Sequence, residues 1–221
     1  MPPMIPRRVT LPLLVILLSL LVSCGGGGGG GDGGGFTKAD YQFLYTYNAV
    51  NLDGHTIRWP SLPIGVSSGG VPGVPVAFDR WNSATGGAVG FNYAGNSITV
   101  AYSDTTSYCG VTTIRWSSAG RILSAKVSVA RDQSGCLGGL SDTLTHEAGH
   151  ALGFLGHDAS GLMNPQGGQP ISDQESRFMR LLYSLAPGTD ISDKLAKSRT
   201  SGASYDKSGT RVHSMTINRS K

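Results

Sequence analysis

The stretch HEAGHALGFLGHD, residues 146–158, places His146, His150, His157 and Glu147 close together in the chain. An α-helix advances about 100° per residue, so His146 and His150 stand about 40° apart on its surface, with side chains about 6 Å from each other. Two neutral imidazoles at that spacing can share one metal ion. Glu147 projects about 60° from His150 on the other side of the stripe, where its carboxylate can reach a water on the metal without becoming a ligand. Leu144, Ala148, Ala151, Leu152 and Leu155 occupy the opposite side. The same helix therefore packs with one face and offers donors on the other.

Several elements must hold this helix. Gly153, three residues beyond His150, can take the positive φ that ends a helix and turns the chain back. Upstream, VPVAFDRWNSATGG places Val74, Ala77, Phe78 and Trp81 at helical spacing, with Pro75 in the first turn and Gly86-Gly87 as the stop. SITVAYSD and VTTIRW read as strands. RILSAKVSVA puts Leu123, Ala125, Val127 and Val129 on one face, predicting a sheet with one well-buried side. After the site, Phe178, Leu181, Leu182 and Leu185 predict a last helix, capped by Ser172 or Asp173 and stopped by Pro187-Gly188. Residues 36–190 thus read as one α+β or α/β domain.

HEAGHALGFLGH followed by GLMNP resembles the metzincin zinc peptidases, and among them the matrixins, over roughly residues 55–186. The family pattern is H-E-x-x-H-x-x-G-x-x-H followed by a methionine turn. The resemblance implies an α+β zincin fold: a twisted, mostly parallel β-sheet packed with the active-site helix, a second long helix and a C-terminal helix. It implies His146 and His150 as ligands of one catalytic Zn2+, Glu147 as general base, and Met163 as the apolar floor beneath the ligands. The family's third ligand would fall at Gly156, which has no side chain to offer. His157, one place late, is assigned that role, because a chain released from the helix at Gly153 can bulge by one residue at Gly156. Asp158 is the fallback ligand, since some metzincins use an aspartate there. Three nitrogens with an open fourth position define a catalytic rather than a structural zinc site. The implied activity is endopeptidase cleavage of a protein or peptide substrate by a monomer. The competing expectations are a non-catalytic zinc-containing surface module and hydrolysis of a cell-wall amide. Family Ca2+ sites cannot be placed, and His55 and His213 are expected on the surface.

The chain's ends bear on location. Arg7 and Arg8 precede the apolar run Leu11 to Val22, too short for a comfortable span and built like an export signal over residues 1–23. LVSC resembles a bacterial lipobox, which implies lipid on Cys24 and anchoring to an outer membrane or cell surface. Residues 24–35, nearly all glycine, read as a tether. With Cys24 lipidated, Cys109 and Cys136 are left in an exported domain and are expected to form a disulfide. Two separate thiols or a metal-binding pair are the alternatives. The net charge of +4 falls by two if Arg7 and Arg8 leave with the signal. Residues 191–221 hold seven Lys/Arg against Asp193 and Asp206, and are expected as a solvated, flexible basic tail. No nucleic-acid-binding module is present.

Overall fold

A computed structural model describes residues 35–195 and 209–219. The expected signal peptide, Cys24 and all but the last residue of the glycine run lie outside the described residues.

The first element, α1 (Lys38–Tyr47), is not among those expected from the sequence. Its start is nevertheless written locally, because Thr37 and Asp40 form a reciprocal capping box. Then follow β1 (Ile64–Ser67), α2 (Val74–Ala84), β2 (Phe91–Asn92), β3 (Ile98–Ser103), β4 (Tyr108–Ser117), β5 (Ile122–Ala130), α3 (Gly139–Ala151), α4 (Asp173–Ser184) and β6 (Thr210–Asn218). Val74, Ala77, Phe78 and Trp81 of α2 are buried, as their helical spacing predicts. Ser172, not Asp173, caps α4, in a second capping box with Glu175.

The fold is α+β, and its sheet runs β2-β1-β3-β5-β4-β6. The sheet is parallel at three of its five strand pairs and antiparallel at the other two. β2, β1, β3 and β5 are parallel neighbours, but β4 pairs antiparallel with both β5 and β6, so the sheet is mixed. The β4–β5 connection is a tight turn, which only an antiparallel pair can use. Leu123 is also displaced from its expected face: it is half exposed and Ile122 is buried instead. The register slips between Arg115 and Trp116, so Trp116 faces Ile122 and the alternation restarts at Ala125.

The expectation of a solvated tail over residues 191–221 is corrected for residues 210–218, while residues 196–208 lie outside the described residues. Residues 210–218 form β6, in register with β4 from Tyr108 to Ser117, and bury Met215 and Ile217. The alternation there is weak, since only those two side chains point inward, and polar composition hid the strand.

The core lies where α2 and α3 pack on the inner face of the sheet. Phe78, Trp81, Val100, Ile114, Val127, Leu144 and Ala148 are buried together. Trp81 fixes the helix pair by donating its Nε1–H to the Thr145 carbonyl at 2.7 Å. On the other side of α3, Phe43 of α1 meets Phe154 and Phe178 edge-on. Arg177 of α4 grips Asp40 through two hydrogen bonds, at 2.9 and 2.6 Å. α3 is thus clamped between two packed layers, and its polar stripe has a fixed direction.

Candidate metal centre

α3 ends in a Schellman turn. The Gly153 N–H donates to His150 O and the Phe154 N–H to Gly149 O, with Gly153 at φ +112°. This turn returns the Phe154 carbonyl to His150, whose Nδ1 lies 2.6 Å from it. The Nδ1 of His146 lies 2.6 Å from the Leu162 carbonyl. A carbonyl only accepts, so both Nδ1 atoms carry the ring proton. Burial lowers the pKa of both rings, that of His146 to about 3, and keeps them neutral. Each Nε2 is therefore a bare lone pair.

The two lone pairs face each other, and His157 Nε2 joins them. His146 Nε2 lies 3.0 Å from His150 Nε2, which lies 3.2 Å from His157 Nε2. Bare acceptors repel at such distances unless a cation sits among them. Zinc held tetrahedrally at ~2.0–2.1 Å spaces its nitrogens about 3.3 Å apart, so the donor set fits the ion. The carbonyls behind the rings supply the orienting hydrogen bonds of ligand histidines. Among the described residues these three are the group of donors able to hold a metal.

His157 reaches the cluster through the loop after the turn. Gly156 lies against Tyr47 of α1, and a Cβ there would come within 3.1 Å of the ring. The expected ligand position is thus filled from outside by an aromatic ring, and the next residue turns inward. Asp158 holds the loop rather than joining the donors. Its Oδ1 accepts from the Tyr47 hydroxyl at 3.0 Å and from the Ala159 N–H at 2.8 Å, while its own N–H donates to Met163 O.

Met163 is fully buried, with its sulfur under Gly149, where a Cβ would lie only 2.5 Å from Sδ. It therefore packs beneath the helical turn that carries His146 and His150. The turn around Met163 is held by Glu175, a residue the sequence reading passed over. Its buried carboxylate accepts the N–H groups of Met163 at 2.6 Å, Leu162 at 3.1 Å and Ser172 at 2.6 Å. Ser172 was one of two cap candidates in the sequence, but the reach of Glu175 to the methionine turn was not legible there.

Glu147 does not belong to the nitrogen cluster. Its carboxylate lies against β4, where Oε2 accepts from the Thr112 hydroxyl at 2.5 Å. Oε1 is buried without a hydrogen-bond partner. Burial pushes the carboxyl's pKa up to about 8, against the lowering effect of the Thr112 hydrogen bond. Gly110 makes room for it, since a Cβ there would lie 2.6 Å from Oε1.

Cys109 and Cys136 are disulfide-bonded, tying the start of β4 to the loop before α3. His55 and His213 are half-buried rather than on the open surface. The first meets the Leu52 carbonyl and the second lies beside Trp116 on β6. Neither joins the donors.

These features define a candidate three-histidine metal centre on an α+β scaffold. No protein-family model matches the chain, and no curated protein matches it.

Proposed function

We propose that the chain is a zinc-dependent endopeptidase of metzincin type. The observation that carries this reading is the convergence of three Nε2 atoms, two of them bare lone pairs with tautomers fixed from behind. His146, His150 and His157 would hold the ion, and the methionine turn with Met163 supports the two helical ligands from below.

When bound, zinc supplies an acidified water and polarises the scissile carbonyl. Glu147 supplies the proton transfer: Thr112 holds Oε2, and Oε1 is left to take a proton from the attacking water and pass it to the leaving amine. The leader and LVSC support export and lipid attachment at Cys24.

The zinc-loaded chain is expected to cleave a denatured protein, and a chelator to abolish cleavage. Glu147→Gln should keep one equivalent of metal while losing about 10²–10⁴-fold in rate. Undiminished cleavage by Glu147→Gln would refute the mechanism.

A further inference from the structure

The proposed general base is sealed from solvent in this structure. Glu147 is fully buried against β4, and the C-terminal strand that flanks β4 buries its own Met215 and Ile217 side chains, with Ile217 opposite Gly110, the glycine whose missing side chain makes room for the carboxylate. β6 also takes the outer side of β4, the strand that brings Gly110 and Thr112 to Glu147. Without β6, β4 would be the edge of the described sheet, with its backbone N–H and C=O groups presented beside the proposed catalytic group. Such an edge is a template for any extended polypeptide, because backbone groups are common to all sequences.

The way β6 is held suits an occupant that exchanges. Only Met215 and Ile217 of its nine residues are buried. Beyond these it is attached by backbone pairing along β4 and, among other contacts, by a Thr113–Ser214 hydroxyl contact at 2.8 Å, the His213–Trp116 ring contact and a clasp near each end. Arg211 donates to Asn51 O at 2.8 Å, and Arg219 to Asp132 O at 2.5 Å and Ser134 O at 2.6 Å. The second clasp grips the loop that the Cys109–Cys136 disulfide holds against β4.

We propose that Thr210–Asn218 is a displaceable, self-inhibitory occupant of the chain's polypeptide-binding edge: it lies where an extended substrate pairs antiparallel with β4, and it must leave for Glu147 to act. This inference rests on the peptidase reading above. It makes the substrate an unfolded or extended segment of polypeptide, in competition with the chain's own C-terminal strand.

The test compares the full chain, a chain ending at Ser208, and a full-length chain carrying Met215→Lys and Ile217→Lys, which keeps the strand but opposes its docking. Peptide hydrolysis is measured beside binding of a dye-labelled peptide with the sequence of residues 210–218. A strand docked about nine-tenths of the time lowers the apparent rate roughly tenfold. Both altered chains are therefore expected to cleave roughly tenfold faster or more. The labelled peptide should bind the shortened chain but not the full one, and should competitively suppress the gain. If no chain cleaves while the peptide binds the shortened chain alone, the peptidase reading fails and the binding edge stands. A folded, metal-binding shortened chain that neither gains activity nor binds the peptide overturns the proposal. So does loss of the fold in both altered chains, which would make β6 an ordinary structural strand.

Discussion

Replacing Glu175 tests whether the metal site is held from behind by a residue that touches none of the ligands. The carboxylate is buried and accepts the N–H groups of Leu162, Met163 and Ser172. Hydrogen bonds to a charged group contribute about 1.5–3 kcal/mol each, and a buried donor left without a partner costs about 1–3 kcal/mol. Full additivity would overstate the loss, because Ser172 is only part-buried, water can enter the space, and burial already opposes the ionised carboxylate. Glu175→Ala should therefore lose about 3–5 kcal/mol, a large fraction of the roughly 5–15 kcal/mol that holds a domain together. Glu175→Gln keeps one acceptor but turns an NH2 toward a donor, and should lose about 1–3 kcal/mol. The loss should spread to the metal, since the Leu162 carbonyl orients His146. Such supporting partners change metal affinity about 10–100-fold. Urea unfolding of the metal-free protein reads the first effect without counting metal binding twice. Zinc competition against a chromogenic chelator reads the second. If Glu175→Gln stays within about 0.5 kcal/mol of the parent and its zinc affinity within about twofold, the claim that this side chain positions His146 is wrong.

Two further perturbations probe the scaffold. Gly149→Ala should gain about 1 kcal/mol of helix propensity, yet its methyl would fall 2.5 Å from Met163 Sδ and 2.7 Å from Trp81 Cζ2. Trp81 is pinned by its bond to Thr145 O, so overpacking of about 1–3 kcal/mol should win and the melting temperature should fall; a raised melting temperature would show that Met163 does not lie beneath the helix. Asp40→Asn should cost about 1 kcal/mol near neutral pH, because the Arg177 guanidinium holds the Asp40 carboxyl far below the usual carboxylate range. A pKa lowered on folding contributes stability above the unfolded value of about 4 and loses it as pH falls toward the folded value, so the stability gap between the parent and the Asp40→Asn protein should shrink in acid. Urea midpoints near neutral pH and at about pH 2 check this, and an undiminished gap in acid contradicts the assignment.

The chain order of His146, Glu147 and His150 already carried much of the local reading. Ligand spacing, the terminating Gly153 and the Ser172 cap are relations between residues a few positions apart, and helix geometry converts them directly into direction. The buried stripes of α2 and α4 were legible for the same reason. Met163 could be named from its place in the motif, although its position under Gly149 needed the packed helix.

What lay out of reach depended on groups far apart in the chain. Tyr47 from α1 fills the space at Gly156, and Glu175 from α4 holds the methionine turn that orients His146. The partner of β4 was hidden more deeply, because strand pairing uses backbone groups that every residue shares, and nine mostly polar residues read as tail. Sequence alone determined which atoms could bind a metal and on which stripe they stand. Only the tertiary structure decided that the late histidine arrives, that its neighbour Asp158 braces the loop instead, and that Glu147 lies buried against β4, the strand that the chain's own last strand flanks.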